Sequence, residues 1–126
     1  MDIPMLPHVT LTLANGADLS AGGLGYEIDA PLGNDGHLDP ALWREVKVRC
    51  RVRRFRPGEP NRDGRLVHRK GGFGGGTWLI DYDDRTKEED ATGCRLGGQR
   101  FFEGENVSIR EDDTIRTFKV ASIRRS

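Results

Sequence analysis

The stretch that decides the fold is Val46-Lys47-Val48-Arg49-Cys50-Arg51-Val52-Arg53-Arg54-Phe55. Apolar and basic residues alternate along it, and successive side chains of a β-strand point to opposite faces. One face would carry Val46, Val48, Cys50 and Val52, and the other Lys47, Arg49, Arg51 and Arg53. The pattern predicts an amphipathic strand with one face in a core and a row of four cations on the other.

Shorter strand signals lie on both sides of this stretch. Residues 9–13 and 26–30 alternate apolar and polar side chains, and residues 77–82 are rich in aromatic and β-branched side chains. Asp39-Pro40 is typical of a helix start, because Asp accepts hydrogen bonds from exposed amides and Pro at the first helical position loses no needed donor. The sequence therefore predicts an all-β protein, a small barrel, roll or sandwich of about six or seven short strands with one short helix near residues 40–45.

Glycine and proline mark the expected turns. Residues 56–64 contain two prolines and two glycines and predict a loop. Residues 101–109 have the pattern Phe-x-x-Gly-x-x-Val-x-Ile, which is similar to a turn before a hairpin in several small barrels, including SH3-like ones. This turn recurs in unrelated proteins, so it supports an architecture and implies no common ancestry.

The length of 126 residues fits one domain, which we place at residues 8–126 after a loose N-terminal segment, 1–7. Cys50 and Cys94 have no paired spacing typical of zinc or redox sites, so we expect two buried, reduced thiols. No signal-peptide pattern and no apolar run of about 20 residues are present. We expect a soluble, cytoplasmic protein without membrane association.

Charge is distributed unevenly along the chain, although the formal net charge is zero. Residues 1–43 contain six acidic residues and no Lys or Arg, whereas residues 44–70 contain eleven basic and three acidic residues. Such blocks either neutralise one another within the fold or leave one basic and one acidic face.

The basic stretch is the first candidate site, for an anionic partner. Its cations are Lys47, Arg49, Arg51, Arg53, Arg54 and Arg56. On a strand, alternate residues lie about 6.6 Å apart, close to the spacing of phosphates along a nucleic-acid strand. Phe73 and Trp78 are the candidate apolar contacts. The alternative is a solvated sheet face on which these cations pair with acids, for example those within residues 26–30 or 81–84.

Three other patterns suggest a phosphate-binding loop, a metal site and a pair of catalytic carboxylates, but each departs from what that site requires or has a structural explanation. The glycine-rich residues 71–76 lead into Thr77 without the Lys of a phosphate-binding loop, and they open a strand where that loop would open a helix. Asp35, His37 and Asp39 alternate as metal ligands would, but turn formation and helix capping explain them equally well. The acidic residues within 81–90 are typical of an exposed segment, whereas paired catalytic carboxylates need partial burial.

We therefore expect a non-catalytic module for protein interaction or assembly, with a protein as its partner and with no cofactor or metal. The alternative from a different class is salt-sensitive binding of single-stranded nucleic acid by residues 47–56. A third hypothesis is an enzyme whose site carries no recognisable motif.

Overall fold

The computed structural model describes residues 6–13, 24–56, 58–69, 77–83, 94–96, 100–111 and 114–124. Within these ranges the strands are β1 (His8–Leu13), β2 (Gly25–Asp29), β3 (Arg51–Arg56), β4 (Glu59–Arg69), β5 (Thr77–Tyr82), β6 (Cys94–Leu96), β7 (Asn106–Glu111) and β8 (Thr114–Arg124). One helix, α1 (Pro40–Val46), continues into a 3-10 turn, Lys47–Arg49.

The strands form a closed antiparallel barrel in which each pairs with its neighbours in the sequence. Pairing of β1 with β8 closes the barrel, with a register shift between Thr10 and Leu11. The predicted class, a small all-β fold with one short helix, is confirmed. The described residues hold eight strands, close to the predicted number of about six or seven.

Apolar side chains that alternate along the strands fill the barrel. Tyr26 and Phe118 are fully buried and meet edge to face, with ring centroids 5.2 Å apart. The other core side chains on the strands include Val9, Leu11, Ile28, Val52, Leu66, Ile80, Val107, Ile109 and Val120. Strands of this kind, with one face in a packed interior and the other toward water, explain the alternation in the sequence.

Helix α1 closes one end of the barrel. The Asp39 carboxylate accepts hydrogen bonds from the Ala41 and Leu42 amides at 2.9 and 3.4 Å, and Pro40 occupies the first turn. Leu42 packs on the core and Val46 is buried. We call residues 40–49, the helix and its 3-10 turn, the helical cap.

The predicted strand over residues 46–55 was wrong in its first half. Residues 46–49 belong to the helical cap, and the strand begins at Arg51. Val46 and Cys50 are buried as predicted, but Val48 is 68% exposed. The reason is that Leu42, Val46 and Cys50 also follow the i, i+4 spacing of a helix face, so burying Val46 and Cys50 does not require a strand.

The loop predicted over residues 56–64 was also wrong, since β4 already begins at Glu59. Of the predicted loose segment 1–7, residues 1–5 lie outside the described residues. Leu6 packs against the core, and Pro7 is buried and accepts a hydrogen bond from the Ala30 amide at 2.9 Å. These two residues are therefore part of the packed structure.

Candidate functional site

The six cations of the predicted anion site do not form one row. Lys47 and Arg49 lie on the 3-10 turn, and the remaining four lie on β3. A row with a spacing of two requires one continuous strand, and the strand starts only at Arg51. The cations therefore divide into two groups with different surroundings.

The outward-facing arginines of β3 form ion pairs with acidic residues of neighbouring segments. Arg51 Nη2 lies 2.6 Å from Asp83 Oδ2, and Arg53 Nε lies 3.0 Å from Asp63 Oδ1. The hydrogen bond to Asp63 is the main cause that raises the pKa of Arg53 above its ordinary value. These pairs match the alternative interpretation of the sequence, in which cross-strand acids neutralise the basic face.

The last two arginines of the predicted site also have contacts within the chain. Arg56 Nη1 is 3.7 Å from Glu59 Oε2. Arg54 points into the barrel and is only 8% exposed, and its Nε donates to the Tyr26 hydroxyl at 3.2 Å. Arg54 therefore does not belong to an outer cationic surface.

Arg54 is joined by two further inward-facing arginines that sequence analysis did not identify, Arg62 on β4 and Arg116 on β8. Arg62 lies directly opposite Arg54 in the β3–β4 register. Arg116 is paired with the buried Ile109 and lies two residues before the buried Phe118. Each arginine is an even number of positions from a buried residue on its strand, and this parity is the sequence signal that could have revealed them.

The helical cap contains the second group of cations together with an aromatic cluster. The Trp43 ring centroid is 6.0 Å from that of His68 and 6.2 Å from that of Trp78, and His68 and Trp78 are 4.6 Å apart. Lys47 Nζ lies 5.8 Å from the centroid of the Trp43 ring. This cluster fixes the cap to the ends of β4 and β5.

The cap exposes an apolar side chain between two cations. Val48 is among the most exposed large apolar side chains, and Lys47 and Arg49 on either side of it are also exposed. Among the described residues, no carboxylate lies within ion-pair distance of Lys47 or Arg49. The cap thus differs from β3, whose cations are already engaged.

The two predicted apolar contacts have different outcomes. Trp78 is half-buried and packs against Trp43 and His68, so it is part of the cluster under the cap and does not form an exposed platform. Phe73, with the glycine-rich residues 71–76, lies outside the described residues.

Asp35, His37 and Asp39 are used in local structure. Asp39 caps α1, and Asp35 accepts from the His37 amide at 3.1 Å while its second oxygen lies 3.1 Å from His37 Nδ1. The hydrogen bond from the His37 backbone is the main cause that lowers the pKa of Asp35. Turn formation and capping therefore account for these three side chains.

A scan against protein-family models, curated protein sequences and solved structures gives no match for this chain. No helix within the described ranges is long and apolar enough to cross a membrane.

Proposed function

We propose that this chain is a non-catalytic protein-interaction module that docks its partner on the helical cap. The observation that carries the proposal is the 68% exposure of Val48 between the exposed cations Lys47 and Arg49. An apolar side chain held in place on a fixed element contributes to binding when a partner covers it. Trp43 and Val46 supply the fixed attachment to the barrel.

The chemistry of the cap favours a partner segment that is acidic and carries an apolar side chain. Carboxylates would pair with Lys47 and Arg49 while the apolar group covers Val48, and such charge complementarity sets orientation and association rate. Glu45, exposed on the same helix, disfavours an acid placed directly beside it. The cytoplasmic location expected from the sequence stays part of this proposal, and the reduced, buried thiol of Cys50 is compatible with it.

Nucleic-acid binding has less support as a function. A phosphate backbone would have to displace Asp83 and Asp63 from Arg51 and Arg53 before it could follow β3. Lys47 and Arg49 are the cations of the predicted site that remain for it, and two cations give only a weak, salt-sensitive contact. The enzyme hypothesis gains no support from the described residues, whose shifted pKa values arise from local hydrogen bonds and from burial.

Site-specific photo-crosslinking tests the proposal. A benzophenone amino acid replaces Val48 in one variant and Ile115 in the other, because both side chains are 68% exposed and only the first is on the cap. In a lysate of the source organism, we expect a discrete protein adduct from position 48 and none of that mass from position 115. The double variant Lys47→Glu/Arg49→Glu should remove the adduct.

The adduct's partner, once identified by mass spectrometry, is then purified and titrated with the unmodified chain. We expect weaker binding at higher salt and loss of binding in the double charge reversal. Identical adducts from both positions, or an adduct that survives charge reversal, would contradict docking on the cap.

A further inference from the structure

A second exposed apolar side chain lies at the same end of the barrel as the helical cap. Phe102 is 40% exposed and is followed by Glu103 and Glu105, which are both exposed. These residues belong to the connection between β6 and β7. The Phe101 amide donates to the Gly36 carbonyl oxygen at 2.8 Å, and this hydrogen bond joins the connection to the segment that leads into α1.

Residues 102–105, which we call the acidic turn, have a fixed backbone. The Glu105 amide donates to the Phe102 carbonyl oxygen at 2.9 Å, and Gly104 has a φ of 90°, as the third residue of a type II turn does. The Gly104 amide donates to the Val120 carbonyl oxygen, and the Val120 amide donates to the Glu105 carbonyl oxygen, both at 2.9 Å. The turn is therefore attached to β8 and presents its side chains in a set direction.

The Phe102 ring is held from two sides. It packs on the backbone of Gly36, where an added Cβ would lie 2.8 Å from the ring, and Arg100 Cζ lies 5.4 Å from the ring centroid. A side chain that is already held in place loses little conformational freedom when a partner covers it. Phe102 thus resembles Val48, which is also exposed on a fixed element.

The charges of the two surfaces are complementary. Within the described ranges, neither Glu103 nor Glu105 has a cation at ion-pair distance, and neither Lys47 nor Arg49 has an acid. The acidic turn therefore offers two free carboxylates beside an exposed apolar ring, and the cap offers two free cations beside an exposed apolar side chain. One chain carries both halves of a possible docking contact.

We infer that the partner of the helical cap is a second copy of this chain, which docks its acidic turn there. The inference rests on the proposed docking on the cap and names the partner. Phe102 of one protomer covers Val48 of the other, and the two glutamates of the turn pair with the two cations that flank Val48. The turn is the kind of segment that the chemistry of the cap favours, acidic with an apolar side chain.

The positions of the two surfaces allow a closed dimer. Val48 precedes β3 and Phe102 precedes β7, and these strands are four apart in the closed barrel of eight described strands. The two surfaces therefore lie on opposite sides of the cap end. When two copies meet end to end about a two-fold axis, the cap of each faces the acidic turn of the other, and no unmatched surface is left for further copies.

The remaining charges do not oppose this contact. Glu45, exposed on α1, would repel an acid beside it, but Arg100 lies next to the acidic turn and can face Glu45 across the interface. The formal net charge of the chain is zero, so two copies do not repel each other overall.

Sedimentation velocity of the purified chain is the first test. We expect a monomer–dimer equilibrium with a Kd of about 10–100 μM at about 50 mM salt, because the interface is small, and weaker association at about 500 mM salt. Val48→Asp should weaken the dimer at least about tenfold, since it places an acid against the acidic turn. Ile115→Asp is the matched control, because Ile115 is equally exposed but lies at the start of β8, away from the cap, and it should leave the dimer unchanged.

A charge exchange between the two surfaces identifies the contact. Lys47→Glu/Arg49→Glu and Glu103→Lys/Glu105→Lys should each be monomeric, because like charges then meet in both contacts of the dimer. An equimolar mixture of the two variants should form a heterodimer, in which one contact is the native pair and the other is the reversed pair. This rescue also shows that both variants are folded.

Crosslinking separates this inference from the proposed function. A benzophenone amino acid at position 48 of the purified chain should give an adduct of twice the chain's mass, linked to the peptide that contains residues 102–105. A chain that stays monomeric at about 500 μM in about 50 mM salt would overturn the inference. A crosslink outside the acidic turn, or a mixture of variants that does not associate, would also overturn it.

Two combinations of results distinguish the two proposals. A monomeric chain whose position 48 crosslinks to a different protein in the lysate would refute the second copy and leave docking on the cap in place. A monomeric chain without any adduct specific to position 48 would refute both.

Discussion

The hydrogen bond from Trp43 to the barrel makes a measurable prediction about how the helical cap is attached. Trp43 Nε1 donates to the Leu66 carbonyl oxygen at 2.8 Å. The Leu66 amide donates to the Cys50 carbonyl at 2.9 Å, and the amide and carbonyl of one strand residue point toward the same neighbouring strand. Because β3 begins only at Arg51, the indole supplies the partner that a longer β3 would have supplied.

Replacing Trp43 with Phe removes this donor and keeps an aromatic ring. Leaving a buried carbonyl without its donor costs about 1–3 kcal/mol. Trp43 is half-buried, so water can partly replace the donor, and we expect the lower part of that range, about 1–2 kcal/mol. The smaller ring adds a packing loss of roughly 1 kcal/mol.

Trp78→Phe is the matched control. Trp78 packs in the same aromatic cluster, and its indole N–H has no hydrogen-bond partner among the described residues. This variant should therefore lose only the packing contribution. The difference between the two variants in free energy of unfolding isolates the hydrogen bond at about 1–2 kcal/mol, or a difference in Tm of about 3–10 °C for a chain of this size.

Urea denaturation followed by far-UV circular dichroism is the appropriate assay, because the two variants retain different fluorescent tryptophans. Equal destabilisation within about 0.5 kcal/mol would refute the reasoning. It would mean that water satisfies the Leu66 carbonyl as well as the hydrogen bond from the indole does, and that the cap is attached by apolar contacts alone.

Three further outcomes are expected. Burial raises the pKa of the Cys50 thiol to about 12. At pH 8, iodoacetamide should therefore alkylate Cys50 roughly a thousandfold more slowly in the folded chain than in urea, as measured by peptide mass spectrometry. Comparable rates would show that the thiol is accessible. Gly36→Ala should destabilise the fold more than Gly58→Ala. Both glycines have a positive φ, but an added Cβ meets the Phe102 ring at 2.8 Å at Gly36 and meets no atom within 4 Å at Gly58. Equal shifts in Tm would contradict the contact with Phe102. Single-stranded DNA should show no binding by fluorescence anisotropy at about micromolar protein and about 50 mM salt, and salt-sensitive binding removed by Arg49→Glu/Arg51→Glu would instead favour the nucleic-acid hypothesis.

The fold class could be predicted because it depends on local patterns. Alternation in residues 9–13 and 26–30, and the aromatic and β-branched side chains of residues 77–82, were enough to identify strands, and Asp39-Pro40 was enough to place the helix start. These signals are set by neighbouring residues in the chain, so they do not require knowledge of which strands pair.

The course of the chain from α1 into β3 could not be predicted in the same way. Val46 and Cys50 fit both a period of two and an i, i+4 helix face, and the choice between them depends on tertiary packing of the cap on the barrel. Gly64 was interpreted as part of a loop, but it lies within β4, where an added Cβ would approach the Asp81 carbonyl oxygen to 2.5 Å. A glycine required for close contact between strands has the same sequence signal as one required for a turn.

The partners of the basic residues were equally inaccessible to sequence analysis. Whether Arg53 meets Asp63 depends on the register of the β3–β4 hairpin, in which the two are directly opposed. Arg54, one residue further along β3, points inward because it lies two positions from the buried Val52 and so shares its face of the strand. One-residue differences in register thus decide which arginines form surface ion pairs and which enter the barrel.

The attachment of the cap also bears on the proposed docking of a partner, because the position of Val48 is set by the residues that hold the cap. Trp43 both donates to the barrel and lies under Lys47, whose Nζ is 5.8 Å from the indole centroid. If a partner binds Val48 and its flanking cations, Trp43→Phe should reduce the crosslinking yield from position 48 more than Trp78→Phe does. Equal yields in both variants would show that partner binding does not depend on how Trp43 holds the cap. The docking surface would then have to be sought outside residues 40–49.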